Sequence, residues 1–240
     1  ISSVKNRVAN YPKNNWELHP LDVLIEKLEN ITQSISSVII EPIQCTAGDI
    51  YLDVDKLKKI QGLCNKNDIC FIVDEIQTGF GATGEIWYSR KIGLNPDIII
   101  FGKKSQICGI MTNDKYSEAI HSKYRKLEVT FDGDLIDAVR AEYTIKAIKE
   151  YFLLENVNNK SSILRNELSE SFDNYRSSGF LVAFDFKNRQ KRDRFVSNAY
   201  AHKLLVNPTN ERSVRIRPNL AFSDNELDEL FSKINSARNK

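Results

Sequence analysis

Three short apolar runs constrain this chain more than any other feature: "SVIIEPIQ" at 37–44, "ICFIVDE" at 69–75 and "DIIIFG" at 97–102. Each is too short for a helix buried all round, and each stops at a proline, a carboxylate pair or a glycine. Such runs suit strands covered on both faces, the kind that parallel sheets use. Helical spacing lies before and between them. Leu24, Leu28 and Ile31 recur at helical intervals from Leu21 onward, and Asp53 can cap a helix with Val54, Leu57, Ile60 and Leu63 on one face. Strand, helix, strand and crossover in this rhythm predict an α/β fold with a mainly parallel sheet. Ahead of them, residues 1–20 are polar, carry Pro12 and Pro20, and read as an irregular lead-in.

After Gly133 the pattern changes. "LIDAVRAEYTIKAIKEYFLLENV" reads as one long helix, although 154–162 is polar enough to be a mobile connection. "FLVAFDF" (180–186), "LLVNP" (204–208) and "SVRIRP" (213–218) read as short strands with helices between them. "SDNE" at 223–226 has the form of a capping box opening a last helix, with Leu227, Leu230, Phe231 and Ile234 inward. The division expected is therefore 1–132, part of a large α/β domain, and 133–240, a connecting helix and a small α+β domain.

Composition excludes several classes of function. At 240 residues, 41% hydrophobic and 28% charged, the chain can bury a core as one large or two small domains. A net charge of +2 from well-mixed signs gives no reason to invoke nucleic acid or membrane. No apolar run approaches the roughly 18 residues of a membrane span, and no signal peptide is read at the start. Cys45, Cys64, Cys70 and Cys108 show no CxxC spacing, which suits reduced thiols in a cytoplasmic protein. His19, His121 and His202 are scattered and fit no metal site. The chain starts at Ile1 and its sole methionine is Met111, so it is not expected to be a complete translation product.

An apolar strand ending in Asp74-Glu75 could hold the magnesium of a P-loop ATPase, but the glycine loop this requires is missing. Around "FGKKS" (101–105), the position where the first loop glycine belongs is Asp97. The other reading pairs Asp74 with a lysine beyond the next strand, at the same carboxyl edge where α/β folds bind their ligands. Lys103 stands there, 103 − 74 = 29 residues on, the length of one strand–crossover–strand unit. Pyridoxal phosphate needs such a pair: a lysine to hold it as a Schiff base and a carboxylate to keep its pyridine nitrogen protonated. Gln77, one turn past Asp74, could donate to its phenolic oxygen.

With these residues in view, "EPIQ…GD" (41–49), "VDEIQTGFGATG" (73–84) and "NPDIIIFGKKSQICGIM" (95–111) resemble the class III, fold-type I aminotransferases. The "FGKKSQICGIM" stretch looks most like the lysine ε-aminotransferase branch of that family. The similarity runs from "NRVANYPKNNW" (6–16) to "VRIRPNLAFSDNELD" (214–228). It implies the C-terminal part of a pyridoxal-phosphate transferase large domain followed by the small C-terminal domain. It also implies transfer of the side-chain amine of L-lysine, or of a similar ω-amine, to 2-oxoglutarate. Residue by residue, the resemblance makes Lys103 the Schiff-base lysine, Asp74 the pyridine partner and Gln77 the phenolic-oxygen partner. Thr130 matches a threonine that reaches the cofactor phosphate of the neighbouring subunit, which implies a homodimer. Arg215 matches the arginine that binds a substrate carboxylate, a task suited to a bidentate guanidinium.

The departures from that family are specific. Its chains are nearly twice as long, and the part with no counterpart here carries the glycine-rich phosphate turn and the aromatic that stacks on the ring. Thr46 stands where the lysine branch has a glutamate that pairs with an arginine. Asp132 and Asp134 stand where the pattern has glycine and asparagine. Other residues have plainer readings. Glu75 alternates to the face opposite Asp74 and is expected to be structural. Lys104 is expected to face away from the site, Cys108 to be a buried thiol, and Arg217 to share the face of Arg215. Two functional readings follow: an aminotransferase, expected to be inactive as this isolated chain for want of most of the cofactor pocket, or a degenerate or split fragment that is inactive and serves as a folding or assembly partner.

Overall fold

The computed structural model describes residues 17–31, 34–121 and 133–238. The lead-in before residue 17, Thr130 and Asp132 lie outside them. Helix α1 (Leu21–Glu29) buries Ile25 and Leu28; Ile31 falls past its end and is exposed. Strand β1 (Ser37–Ile40) follows. The first apolar run does not continue as one strand. It breaks at Glu41-Pro42, since proline has no N–H to extend the ladder. It resumes as β2 (Ile43–Gln44), which pairs antiparallel with β3 (Ile50–Tyr51) in a separate ribbon. Helix α2 (Val54–Lys66) opens where expected, the Lys56 N–H donating to the Asp53 side chain at 3.0 Å, and it buries Leu57, Ile60 and Cys64. Strand β4 (Cys70–Asp74), the short helix α3 (Tyr88–Lys91), strand β5 (Ile98–Phe101) and strand β6 (Gly109–Thr112) complete this layer, with helix α4 (Asp114–His121) after it.

The first sheet has the order β1-β4-β5-β6. β1 and β4 run parallel with Val38 opposite Phe71, and β4 and β5 run parallel with Asp74 opposite Ile100. β6 turns back antiparallel on β5. The three apolar runs are thus adjacent parallel strands, as their pattern requires. Leu28, Leu57, Ile60, Phe71 and Val73 form the core under the helices.

The predicted long helix is two helices: α5 (Leu135–Glu150) and α6 (Leu153–Leu168). They part at Phe152, whose φ of +51° lies in the left-handed region, where an α-helix cannot continue. The stretch 154–162 is not a mobile connection. It belongs to α6, where Val157 is fully buried and the polar side chains make tertiary hydrogen bonds. Asn156 Nδ2 donates to the carbonyls of Leu220 and Phe222, Asn158 Nδ2 donates to the carbonyl of Gly84, and Lys160 pairs with Asp224 at 2.9 Å. Helix α5, by contrast, buries only Ile148 among its described side chains and leaves Leu135, Ile136, Val139 and Tyr143 exposed.

The second sheet is antiparallel throughout, in the order β7-β8-β10-β9: β7 (Asp173–Ser178), β8 (Leu181–Asp185), β9 (Asn207–Thr209) and β10 (Ser213–Ile216). β7, "DNYRSS", has no apolar pattern and was invisible as a strand. It forms because the turn at Gly179 folds it onto β8, every residue of which is buried. Helix α7 (Arg189–Ala201) and helix α8 (Asp224–Arg238) cover this sheet. α8 opens with the expected capping box, the Ser223 N–H donating to Glu226 at 2.7 Å and the Glu226 N–H to Ser223 Oγ at 3.2 Å. Leu227, Leu230 and Ile234 are buried, and Phe231 packs against the same core.

Candidate active site

Asp74 ends β4 at the carboxyl edge of the parallel sheet, the edge where strand alternation and the turn that follows decide what each side chain meets. Asp74 faces a cavity of about 180 Å³. Its Oδ1 accepts from the Ile76 N–H at 2.9 Å, which fixes the carboxylate against the turn. Burial pushes the Asp74 carboxyl above its ordinary range, and the Ile76 N–H and the charge of Lys103 offset part of that. Glu75 points the other way, as alternation demands. It is almost fully buried and accepts from the N–H groups of Tyr88 (2.6 Å) and Ser89 (2.8 Å), from Ser89 Oγ (2.5 Å) and from Thr78 Oγ1 (3.0 Å). It is a structural carboxylate that holds the start of α3.

Lys103 follows β5 through Gly102. A Cβ at residue 102 would lie 2.9 Å from Cys108 Sγ, so a side chain here would require the exposed Cys108 thiol to move. Lys103 has a φ of +56° and opens a single turn of 3-10 helix (Lys103–Ser105), which closes when the Gln106 N–H donates to the Lys103 carbonyl at 3.0 Å. Lys103 and Asp74 line the same cavity, together with Gln77 and Thr46. Gln77 Nε2 donates to Thr46 Oγ1 at 3.3 Å. Lys104 is not part of this lining. It is half-buried, and burial, then the charge of Arg217, push its ammonium below its ordinary range.

The sequence reading missed Glu41. It stands just past the end of β1 and lines the cavity, at the same carboxyl edge as Asp74. Enclosure first and the Asp74 charge second push its carboxyl up, while Lys103 pulls it down. Its position after a buried strand was the available signal, the same one that marked Asp74. Cys108 requires a correction. The residue is exposed, not buried, because the backbone reverses at Gln106, with φ +64°, and brings it to the surface beside Gly102.

Arg215, in β10, and Arg217, just past its end, turn out to differ. Arg217 Nη2 holds both oxygens of the fully buried Asp49, at 2.5 and 2.6 Å, in an ion pair. Arg215 Nη1 donates to the Cys45 carbonyl at 2.9 Å, and its Nε is buried with no hydrogen-bond partner among the described residues. Arg215 does not line the cavity; it reaches the main chain one residue before Thr46. Asp134 has a local task, its carboxylate accepting from the N–H groups of Ile136 and Asp137 as the cap of α5. Among the described residues no group of three or more His, Cys, Asp or Glu could hold a metal ion, and no helix is long and apolar enough to cross a membrane.

Comparison with known proteins accounts for this arrangement. The profile of the family "Aminotransferase class-III" matches residues 4–237. The L-lysine-epsilon aminotransferase of Streptomyces clavuligerus is 31% identical over 214 residues, 85% of this chain and 47% of the relative. The 4-aminobutyrate aminotransferase of Dictyostelium discoideum is 30% identical over 243 residues, 96% of this chain and 48% of the relative. A solved structure, lysine aminotransferase from M. tuberculosis in the internal aldimine form, superposes with a TM-score of 0.87 at 27% identity, covering 97% of this chain and 60% of that one. The chain therefore spans about half the length of the curated relatives it matches. Its mixed α/β architecture with a mainly parallel first sheet matches the pyridoxal-phosphate-dependent transferase fold, and the chain belongs to the class-III aminotransferases.

Proposed function

We propose that this chain carries the lysine and carboxylate machinery of an aminotransferase that moves the side-chain amino group of L-lysine, or of a similar ω-amine, to 2-oxoglutarate. The observation that carries the reading is the meeting of Lys103, Asp74 and Gln77 in one cavity at the carboxyl edge of adjacent parallel strands. That donor set fits pyridoxal phosphate: an amine, a carboxylate braced by a main-chain N–H, and a carboxamide with a second N–H to give. The bound cofactor supplies an electron sink for the substrate's carbanion. Asp74 would keep the proton on the pyridine nitrogen, and its brace at Ile76 favours the charged form that this requires. Lys103 Nζ would hold the cofactor and, when released, carry a proton from the substrate's carbon, which needs a neutral amine. Gln77 would donate to the phenolic oxygen. Arg215, whose buried Nε has no partner among the described residues where Arg217 has Asp49, is the arginine free to take a substrate carboxylate.

The same reading makes 1–132 part of the cofactor-binding large domain and 133–240 the interdomain helix and small domain. It makes the protein a cytoplasmic homodimer in which Thr130 reaches the neighbouring subunit's cofactor. The cavity, at about 180 Å³, is smaller than the roughly 300–1,000 Å³ of most small-molecule sites. This accords with a chain that spans half of its relatives.

The test is borohydride reduction of the protein with pyridoxal phosphate, followed by peptide mapping. Label is expected on Lys103, lost in Lys103→Ala and kept in Lys104→Ala, whether or not the isolated chain turns over. Label on Lys104 or elsewhere overturns the assignment. Absence of label supports the other reading, an inactive folding or assembly partner.

A further inference from the structure

The loop between β2 and β3, residues 45–49, is bound to the C-terminal sheet at nearly every peptide. Arg215 Nη1 donates to the Cys45 carbonyl at 2.9 Å, and Thr209 Oγ1 donates to the Thr46 carbonyl at 3.1 Å. Arg176 Nε, from β7, donates to the carbonyls of both Gly48 and Asp49 at 3.0 Å. Arg217 holds the Asp49 carboxylate with two further bonds. Three strands of that sheet thus set the position of the loop's main chain. The Thr46 side chain projects from this anchored backbone to the cavity, where its hydroxyl accepts from Gln77 Nε2. Gln77 itself lies in the turn past β4 and is only half-buried, so packing does little to orient its amide. The terminal torsion of a glutamine is broad and roughly two-fold, and the nitrogen and oxygen ends exchange cheaply unless a fixed partner chooses between them.

We propose that Thr46 is a positioning residue for Gln77, through which the C-terminal sheet sets the amide that meets the cofactor. The inference rests on the reading of Gln77 given above and deepens it. Thr46 Oγ1 occupies one N–H of the carboxamide and so keeps its nitrogen end, with the second N–H, at the cavity. A donor on the phenolic oxygen favours the form of the chromophore with the greater negative charge there, which holds the pH midpoint of its visible band down. Loosening Gln77 therefore raises that midpoint.

The experiment compares Thr46→Val, which keeps the shape and loses the hydroxyl, with Thr46→Ser, which keeps the hydroxyl. None of the four anchors on the loop uses the Thr46 side chain, so neither change disturbs them. In the protein loaded with pyridoxal phosphate, Thr46→Val is expected to raise the midpoint by about half a pH unit, and Thr46→Ser to restore it. On a Gln77→Ala background, Thr46→Val is expected to add nothing. In the cofactor-free protein labelled with [15N]glutamine, the Gln77 side-chain signals, identified by their loss in Gln77→Ala, are expected to move and exchange faster in Thr46→Val and to return in Thr46→Ser. Unmoved Gln77 signals, or a midpoint shift that persists without Gln77, overturn the proposal. Failure of borohydride to label Lys103 in the unaltered protein would instead strike the reading of the site, while the glutamine signals still decide the role of Thr46.

Discussion

Cutting the Asp49–Arg217 pair measures how firmly the second sheet grips the loop beside the cavity. Asp49 is 0% exposed and gives both oxygens to one guanidinium nitrogen. Arg217 is less enclosed, at 19% exposure, and its Nη1 also donates to the carbonyls of Val182 and Ile216, each at 3.1 Å. Removing one partner of a buried pair costs roughly 3–5 kcal/mol, because the charge left behind has no compensation. The two truncations should not cost the same. Asp49→Asn leaves an arginine with two carbonyl acceptors and a path to water, so about 3 kcal/mol is expected. Asparagine is the right replacement because Asp49 has a φ of +53°, which Asn tolerates and an apolar side chain does not. Arg217→Met strands a carboxylate with no exposure, and about 5 kcal/mol is expected. The double variant removes both charges and leaves one buried amide, so it should return to within about 2 kcal/mol of the unaltered protein. Urea unfolding at constant m-value reads all four corners of the cycle. Single costs below about 1 kcal/mol, or costs that simply add, would refute the reasoning, since they would mean a pair no stronger than a surface contact.

Three other outcomes follow from the geometry. Burial raises the carboxyls of Asp74 and Glu41 in the folded state, so the native protein holds protons that the unfolded chain has released. Stability of the cofactor-free protein should therefore fall as pH rises from the ordinary carboxylate range through the raised folded values. Asp74→Asn should flatten that slope in chemical unfolding run across pH, and an unchanged slope counts against it. Glu75→Ala leaves the Tyr88 and Ser89 N–H groups buried without an acceptor and should cost about 4 kcal/mol, with Glu75→Gln costing less because one acceptor oxygen remains; equal costs would deny Glu75 its capping role. Gly179→Ala places a methyl 2.5 Å from the Thr83 carbonyl carbon at a φ of +56°, so a loss of at least about 2 kcal/mol is expected in thermal unfolding, and a neutral result would mean that this turn moves freely.

Local residues announced some of this structure and concealed the rest. The parallel strands were legible because continuous apolar runs of this length are rare outside such sheets, although their burial is uneven: β4 is largely buried, Ile39 of β1 is exposed and β5 is half-buried throughout. The caps at Asp53 and Ser223 were legible because a cap satisfies its own helix within three residues. Strand β7 was hidden because its polar residues show no alternation, and the partners of their side chains, Asp185 for Asn174 and Arg176, lie on another strand. Polarity in 154–162 misled for a related reason: Asn156, Asn158 and Lys160 make their bonds to residues far along the chain, and a local reading counts such groups as solvated.

The candidate site divides along the same line. Asp74 and Lys103 could be paired from the sequence because one strand–crossover–strand unit fixes which edge both must reach, whatever packs around them. The sequence likewise determined that Glu75 turns away from Asp74, since alternation along a strand is a property of the backbone. Nothing local could separate Arg215 from Arg217. Alternation predicts one face for both, two residues apart, and only the fold brings Asp49, 168 residues away in the chain, onto one of them and leaves the other with a nitrogen that has no partner among the described residues. The Thr46–Gln77 contact and the anchored loop behind it were decided by tertiary structure for the same reason. Hydrogen bonds between separate sheets depend on where folding sets those sheets, and no spacing along the chain encodes that distance.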